Sequence, residues 1–552
     1  MEDKPAGLAG EPTPALPVPE PAAPAAPTPP TEDAAESVPP SAPPPSVPES
    51  KPEVAPPFPT APTLSPEQRV PESPTLPPPP PKAPPPPAPP PAPVAAGGEN
   101  MLAKVRGLMR PLFLVTILLL IGALVLAFVP IDLSKIPLIG SLFGPSQSDI
   151  EFTYWGLWED PDVMDPLIAS FVESYESANP GYNVTINYEK RSFGSLEQYK
   201  ETLLTRLEQD TGPDIFRFHN SWVSDFSEEI SPLPSTVLSE EDYALRFYAP
   251  ALSSAKVGTD IFAIPLEYDG LLLFYNKDLF EGVSVAETIL TWEDFRREAV
   301  KRTTWEGNDA KKGKITQAGA AFGTADNISH SADVLSLLFA QSGVDLTKLD
   351  TQAAADALTF YTNFSTKDRV WDETLPFSIN AFANGQAAMI IAPSWRALDI
   401  ANLNPQLDFA AVSVPQLPGA AEGGVHWATF WMEGVSADSE NAEAAWQFLE
   451  FLTQDQQQQA FYNAASQTRL FGEPYAVRSL ADDLSDHEIL APLFITAANA
   501  TFGKAIDFSG NGPHAAALKQ AVGDVLGGDN STDALETAQS TINQLEGITE
   551  PE

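Results

Sequence analysis

Hydrophobic and polar positions follow two alternating periods along the chain from Ile150 onward. Every fourth residue from Val163 to Tyr175 is apolar, and "NPG" at residues 179–181 ends the pattern, so it predicts a helix packed on a sheet. Every second residue from Val184 to Tyr188 is apolar, which is typical of a strand. The two periods together predict a helix that leads into a strand.

The same order of elements continues downstream. A capping box, "SLEQ" at Ser195–Gln198, opens a second helix, and "GPDIF" at Gly212–Phe216 returns to a strand. This β-α-β-α-β order predicts an α/β domain with a mainly parallel sheet and helices on both faces. Ligands of such sheets bind at the carboxyl ends of strands, where "GLWEDP" follows the first strand "EFTYW".

An uncharged apolar run, "PLFLVTILLLIGALVLAFVPI", occupies Pro111–Ile131. As a helix at about 1.5 Å per residue it would be about 30 Å long, which is the hydrocarbon thickness of a bilayer. Lys104, Arg106 and Arg110 precede it while Lys135 alone follows closely, so we expect the N-terminus in the cytoplasm. Without a small-residue cleavage pattern after it, the run predicts a retained transmembrane signal anchor, and the alternative is a buried core helix.

Residues 1–100 contain 37 of the 58 prolines and almost no aromatic residues. Proline lacks an amide donor and fixes φ, so this composition predicts a disordered, extended Pro-rich arm. A passive spacer is the favoured interpretation, and a ligand for a domain that binds proline-rich segments is the alternative. Residues 132–149 are then a linker to a binding domain at 150–546.

Composition excludes several classes of function. The net charge is −43, and such an acidic surface repels phosphate backbones, so we expect no nucleic-acid partner. The chain has no cysteine, which excludes disulfides, thiolate metal sites and a cysteine nucleophile. Its five histidines show no metal-binding spacing, so we expect no metal and no other cofactor.

Motifs of enzymes are also absent from the sequence. There is no H-E-x-x-H, no G-x-S-x-G and no glycine-rich phosphate loop. A glycosidase needs two carboxylates beside the scissile bond, and Glu159 with Asp269 could supply them. In so acidic a chain such a pair arises by chance, and the sequence therefore predicts a protein that is not an enzyme.

Several segments in order resemble the family 1 extracellular solute-binding proteins, the relatives of maltose-binding protein that serve ABC importers. Asp260–Ala299 contains a β-turn-β leading to "AIP", then "YNKDLF" and the helix-opening "TWEDF". Ala381–Trp395, "AFANGQAAMIIAPSW", is similar to the family's F-x-x-G-x-x-A-M segment with its final tryptophan. Val412–Gly419 and Ala444–Gln459 resemble the family's lobe-crossing strand and the helix after it.

The resemblance implies a two-lobed periplasmic-binding-protein-like (type II) fold that closes on its ligand. It places lobe one at about 150–266 plus 416–492 and lobe two at about 268–414 plus 493–546. It also implies a small-molecule ligand and ABC permease subunits as membrane partners. With the anchor, we expect a single-pass cell-membrane protein with an extracytoplasmic binding domain.

Paired indoles and acidic residues in predicted loops indicate a sugar site. A sugar ring has an apolar face that stacks on flat aromatics and hydroxyls that bond strongly to carboxylates. The candidates on this ground, each with core packing as the alternative, are Trp155, Trp158, Glu159, Trp395, Trp427 and Trp431. Strand alternation in "HWATFW" predicts that Trp427 and Trp431 point to the same side.

Position within the family motifs adds further candidates. Asp269 matches a hinge position that carries a carboxylate in some sugar-binding relatives, with Tyr268 beside it, and a hinge salt bridge is the alternative. Phe218, His219 and Asn220 follow the Asp-Ile pair after which relatives present ligand contacts. Arg469 lies in "SQTRLFG", a segment that departs from the family pattern, because relatives often have a proline-containing loop there. Its candidate roles are contact with the ligand and a bridge between the lobes.

The sequence predicts the size and class of the ligand less closely than it predicts the fold. Relatives that bind long maltodextrins carry aromatics in the segment matching Asp507–Lys519, which is glycine-rich here, so a mono- or short oligosaccharide is favoured. A cationic solute of the quaternary amine type is one alternative, because an aromatic cage with carboxylates suits it equally. A sensor or adhesion module without transport is the other.

Overall fold

The computed structural model describes residues 148–308, 313–505 and 512–548. The chain divides into two units, residues 1–112 and 113–552, and every described residue belongs to the second. The predicted Pro-rich arm (1–100), the predicted transmembrane helix (111–131) and most of the linker (132–149) lie outside the described residues. Within the described ranges, no helix combines the length and the apolar character needed to cross a bilayer.

Strands and helices alternate through the described residues. The strands are β1 (Ser148–Gly156), β2 (Tyr182–Lys190), β3 (Ile215–His219), β4 (Lys256–Val257), β5 (Asp260–Ile261), β6 (Ile264–Pro265), β7 (Leu271–Asn276), β8 (Thr304–Trp305), β9 (Ile315–Gln317), β10 (Met389–Pro393), β11 (Phe409–Ser413), β12 (His426–Trp427), β13 (Trp431–Val435) and β14 (Ala500–Thr501). The helices are α1 (Pro161–Ala178), α2 (Leu196–Leu207), α3 (Val223–Phe226), α4 (Glu240–Arg246), α5 (Ala249–Ala255), α6 (Val285–Thr288), α7 (Trp292–Arg302), α8 (Ser331–Gln341), α9 (Gln352–Thr366), α10 (Ser378–Ala383), α11 (Arg396–Leu403), α12 (Ala442–Leu452), α13 (Asp455–Ala465), α14 (Ala491–Thr496), α15 (Pro513–Gly527) and α16 (Ser531–Leu545).

Two sheets organise these elements. The first has the order β2-β1-β3-β13-β6, and the second has the order β10-β7-β11. Strands β1, β2 and β3 are parallel, as the sequence predicts, with helices α1 and α2 as their connections. Strand β13 is antiparallel to both β3 and β6, so four of the five strands of the first sheet run in one direction and the prediction of a mainly parallel sheet is confirmed there. For the second sheet that prediction is wrong, since β7 is antiparallel to β10 and β11. Strand β13 enters by a long return from the second sheet, which imposes no parallel direction.

Helix starts follow the predicted capping residues. The Ser195 side chain accepts the N–H of Gln198 at 3.2 Å, and the Gln198 side chain accepts the N–H of Gly194 at 2.9 Å. Thr291 and Asp294 form a complete capping box at the start of α7. Each cap satisfies amides that have no partner inside the helix, which fixes where the chain turns away from the sheet.

Three segments of backbone meet between the two sheets, residues 266–270, Ala428 and Tyr475, and we call them the crossing. Between β6 and β7, Glu267 pairs with Tyr475, and Gly270 pairs with Ala428. A Cβ at Gly270 would lie 2.4 Å from the carbonyl oxygen of Trp427, so only glycine allows this approach. The lobe boundaries that the sequence predicts stay a prediction, but the crossing brings three distant parts of the sequence to one place.

Candidate functional site

A cavity of about 320 Å³ opens beside the crossing. Its volume is at the lower end of the range, about 300–1,000 Å³, that small-molecule sites occupy. Its walls come from the loop after β1, the crossing, the turn from β10 into α11, the first residue of β13 and the loop after α13. The described residues that line it are Trp158, Leu196, Glu267, Asp269, Trp395, Arg396, Leu398, Asp399, Trp431, Arg469, Phe471, Gly472, Glu473 and Pro474.

Three indoles supply the aromatic surface of the cavity. Trp158 and Trp431 meet edge to face, with 5.6 Å between ring centroids and 81° between planes. Trp158 is 44 % exposed, whereas Trp431 is buried against Trp222 and His219. On the other wall, the Arg396 guanidinium lies 3.9 Å from the centroid of the half-buried Trp395 ring. The cavity therefore offers flat apolar faces from both sheets.

Asp269 ties the crossing to the turn that carries Trp395. Its Oδ1 accepts the N–H groups of Gly270 (2.6 Å) and Ser394 (2.9 Å). Its Oδ2 accepts the Ser394 hydroxyl (2.9 Å) and the Trp395 N–H (3.1 Å). Burial raises the pKa of Asp269 to about 7, although these four hydrogen bonds act to lower it. None of the four donors is a basic side chain, so the geometry is a hydrogen-bond clamp and not the alternative hinge salt bridge.

A second group of buried acids surrounds Arg217 beneath the cavity. Arg217 Nη1 donates to both oxygens of Glu159 (2.9 and 3.0 Å), and its Nε donates to Glu433 (2.8 Å). Burial raises the pKa values of Glu159 and Glu433 to about 7, while Arg217 acts to lower them. Burial also disfavours the charged guanidinium, but the two carboxylates raise the pKa of Arg217 well above its usual value. Glu159 is thus an ion-pair partner under the cavity and does not line it.

Glu267 and Glu473 connect this group to the cavity. Their side chains hydrogen-bond each other, and Glu473 also reaches Glu159. Arg469 donates to Glu473, and Glu267 accepts the Trp431 N–H at 3.3 Å. Burial and the neighbouring Glu267 raise the pKa of Glu473 to about 7, and burial raises the pKa of Glu267. Burial and the contact between the two carboxyl groups thus favour their protonated forms, while Arg469 favours the ionised form of Glu473.

The structure brings together five of the predicted site residues, since Trp158, Asp269, Trp395, Trp431 and Arg469 line one cavity. The other seven lie outside the lining: Trp155, Glu159, Phe218, His219, Asn220, Tyr268 and Trp427. Their contact with a ligand stays a prediction.

The seven residues outside the lining have packing partners of their own. Trp155 is buried with the Arg191 guanidinium 4.2 Å from its ring, and Phe218 packs on Phe216 and Phe226. His219 contacts the Thr429 hydroxyl at 3.1 Å, and Asn220 accepts the Phe430 N–H at 3.3 Å. Tyr268 packs between Tyr248 and Phe430, and Trp427 donates to Asp333 at 3.1 Å.

The expected alternation through "HWATFW" is wrong. Trp427 ends β12 and Trp431 begins β13, and the residues between them belong to neither strand. Trp427 therefore packs against α8 through Asp333, whereas Trp431 faces the cavity. Alternation predicts a common side only within one continuous strand.

Sequence reasoning missed most of the charged lining. Arg396 and Asp399 form an ion pair (2.8 Å) in the first turn of α11, and their i,i+3 spacing directly after Trp395 could have indicated them. Glu473 lies four residues after Arg469, but in a loop, where no periodicity applies. Glu267 is two residues before Asp269, and only the tertiary structure shows that it faces Glu473.

A second cavity, of about 590 Å³, shares Leu196 with the first. Trp222, Lys200, Lys504 and His514 are among the residues around it, and Lys504 pairs with Glu546 at 3.1 Å. The segment used to predict ligand length, residues 507–519, is described from 512 onward, and 507–511 lie outside the described residues.

Comparison with known families decides the identity. Residues 170–469 match the family described as bacterial extracellular solute-binding protein. The chain belongs to this family. As a solute-binding protein it is a binding protein and not an enzyme, which confirms the prediction from the sequence.

Individual relatives of this solute-binding protein are distant. A protein of Brucella abortus (strain 2308), named as a binding protein, is 24% identical over 301 residues, which cover 52% of this chain and 69% of the relative. The cyclic α-maltosyl-1,6-maltose binding protein from Arthrobacter globiformis has a TM-score of 0.56 at 16% identity, covering 72% of this chain and 99% of its own. The GacH receptor of Streptomyces glaucescens GLA.O has a TM-score of 0.54 at 18% identity, covering 73% and 100%. These structures confirm the α/β periplasmic-binding-protein-like fold.

Proposed function

We propose that the protein is the extracytoplasmic receptor of an ABC importer and captures a mono- or short oligosaccharide by closure of two lobes. The observation that carries this proposal is that indoles from both sheets, Trp158, Trp431 and Trp395, meet carboxyl groups of the crossing in one cavity. Aromatic faces cover the apolar side of a sugar ring, and carboxylates accept its hydroxyl protons in bonds about twice as strong as neutral ones.

The position of the cavity supports binding by closure. Trp431 belongs to the first sheet, and Trp395 follows β10 of the second, so a ligand between them contacts both. Such a ligand favours the state in which the two walls are close, because only that state makes both sets of contacts. An affinity in the micromolar range, about −8 kcal/mol, would suffice for capture and still permit release to a permease.

Similar folds with sugar ligands support the class of solute. The solved structures of similar fold include one complexed with maltotetraose, one bound with α-D-tagatose and one with mannotriose bound. The cavity volume of about 320 Å³ favours a ligand at the short end of that range. The permease and ATPase subunits of an importer would be separate chains.

Membrane attachment is part of the proposal. The apolar run 111–131 with its basic N-terminal flank would hold the binding domain at the outer membrane face, with the N-terminus in the cytoplasm. Diffusion in the membrane plane would then bring the receptor to its permease, and residues 132–149 would set the reach.

A quaternary amine is the second candidate ligand. Three indoles around one cavity can cage a cation, and the lining carries four carboxyl residues (Glu267, Asp269, Asp399, Glu473) against two arginines. A betaine-type compound would occupy the same cavity and contact the same rings.

Tryptophan fluorescence and melting temperature of the full-length chain in detergent test the proposal. Mono-, di- and trisaccharides are expected to shift both signals, since three indoles border the site. A betaine-type compound is the comparison ligand. Shifts with betaine alone would favour the second candidate, and no shift with any saccharide would contradict the first.

A further inference from the structure

The carboxyl pair Glu267–Glu473 is the feature of the cavity that a neutral sugar leaves unexplained. Both side chains are buried, both line the cavity, and they hydrogen-bond each other. Burying two acids in contact is costly, because one of them has to keep a proton or find a cation. The pair would therefore gain most from a ligand that brings a positive charge and hydrogen-bond donors.

The arginines of the lining already have acidic partners. Arg396 pairs with Asp399 at 2.8 Å, and Arg469 donates to Glu473 and to the carbonyl oxygen of Phe471. Arg217, beneath the cavity, is held by Glu159 and Glu433. Positive charge in the site is thus used within the protein, and the surplus among the lining residues is acidic.

Asp269 differs from the pair in what it can offer. Its two oxygens already accept four hydrogen bonds from Gly270, Ser394 and Trp395. Most of its acceptor capacity is therefore used to hold the backbone and not to bind a ligand. Glu267 accepts one backbone N–H, at 3.3 Å, besides its contact with Glu473. Among the buried carboxyl groups of the lining that the structure describes, Glu267 therefore has the most remaining acceptor capacity.

We propose that the cavity selects an amino sugar, whose ammonium group donates hydrogen bonds to Glu267 and Glu473 while Trp158, Trp431 and Trp395 cover the ring. This inference rests on the proposed sugar-binding function and deepens it. A primary ammonium suits the pair better than a quaternary amine does, because it carries the protons that the two carboxylates accept. A neutral sugar of the same size would make the ring contacts and donate hydroxyl hydrogen bonds, but it would bring no positive charge to the pair.

Proton release follows from this arrangement. Burial favours a proton on the pair before a cation binds, and Glu159, Asp269, Arg217 and Arg469 are the charged groups around it. When the ammonium enters, both carboxylates become ionised and the proton leaves to the buffer, so the charge inside stays balanced. The raised pKa of Glu473, about 7, places this exchange near neutral pH.

Calorimetric titration of the full-length chain in detergent tests the inference, with glucose or maltose and their amino-deoxy counterparts as matched probes. At pH 6.5 we expect the amino sugar to bind at least about tenfold more tightly than its neutral parent, a gain of about 1.4 kcal/mol. Runs in two buffers of different protonation enthalpy should show net release of protons for the amino sugar and none for the parent.

Variants separate this role from a structural one. Glu267→Gln keeps the shape and the hydrogen-bonding ability but removes the charge, so it should weaken the amino sugar more than the neutral parent, reduce the preference to less than about threefold and abolish the proton release. Glu281→Gln, at an exposed position, is the matched control and should change none of these. If Glu267→Gln does not fold, proton release by the unaltered chain decides the question.

The outcomes distinguish the selection of an amino sugar from the proposed sugar-binding function on which it rests. Neutral sugars that bind as well as amino sugars, without proton release, would overturn the inference and leave the proposed function standing. Failure of every saccharide, charged or neutral, would overturn both. Binding of betaine-type compounds in place of amino sugars would show that the carboxyl pair does not select for a hydrogen-bonding cation.

Discussion

Oδ2 of Asp269 accepts the backbone N–H of Trp395 at 3.1 Å, which joins the crossing to an indole 126 positions later in the sequence. The same carboxylate also accepts the N–H and the hydroxyl of Ser394, so the orientation of the Trp395 turn depends on one side chain. A residue that positions an aromatic wall across two sheets affects both the stability of the site and its affinity.

Replacing Asp269 by asparagine should weaken the protein and its ligand binding together. An amide offers one acceptor atom where three backbone N–H groups and a hydroxyl now donate, so its NH₂ group faces donors. We expect a loss of about 1–3 kcal/mol in the free energy of unfolding and about tenfold weaker sugar binding. Urea denaturation and fluorescence titration measure the two effects. Asp326→Asn, at an exposed position, is the control, and equal behaviour of both variants would contradict the clamp.

Trp395→Ala should remove a wall of the cavity without unfolding the chain. The ring is half-buried and contacts the Arg396 guanidinium, so its loss should cost more than about tenfold in affinity for a saccharide. Trp305, also half-buried but in the β8–β9 hairpin, supplies the control Trp305→Ala. Titration of both variants, each with a cooperative melt, gives the comparison. Unchanged affinity in Trp395→Ala would remove this residue from the site.

Arg217→Met should be strongly destabilising, because it leaves the buried Glu159 and Glu433 without their cation. Removal of one partner of a buried ion pair typically costs about 3–5 kcal/mol. The control Arg478→Met changes an exposed arginine. Urea denaturation should show the loss at pH 8 and a smaller loss at pH 5, where the two acids can take up protons. A loss below about 1 kcal/mol at pH 8 would show that the acids do not depend on Arg217.

Ionisation of Glu433 should contribute to the pH dependence of the free energy of unfolding. Burial raises the pKa of Glu433 in the folded state to about 7, above its usual value of 4.5, so the folded state binds a proton that the unfolded state releases. Its contribution to stability is therefore present at pH values below 4.5 and is lost as the pH rises towards 7.

Glu433→Gln isolates this contribution, because glutamine cannot ionise. The stability of the unaltered chain relative to the variant should decline between about pH 5 and pH 7 and stay level above that range. Chemical denaturation at several pH values measures the difference, and histidine titrations common to both chains cancel. A difference that grows with pH would contradict the raised pKa.

Local features of the fold could be predicted from the sequence because their causes are local. The alternation in β2 and the caps at Ser195 and Thr291 are each determined by residues a few positions apart. The path of "HWATFW" was missed because the chain leaves the strand between Trp427 and Trp431, and no period in the sequence marks that break.

The site could be predicted in part for a similar reason. Asp269 and Trp395 were found through motifs, since each stands in a segment that resembles the family. The pair Glu267–Glu473 was not, because its members lie 206 positions apart by residue number and meet only when the crossing forms. Trp155 and Trp158 lie three positions apart and could not be told apart from the sequence. Trp155 is buried under Arg191, whereas Trp158 borders the cavity.

Fluorine-labelled tryptophan in the full-length chain provides the most direct measurement of the central claim, which is that a sugar binds between indoles of the two sheets. On titration with a saccharide that shifts the melting temperature, the fluorine resonances of Trp158, Trp395 and Trp431 are expected to move. Those of the fully buried Trp292, Trp371 and Trp446 are expected to stay. Saturable binding that leaves all three cavity resonances unmoved would contradict the account.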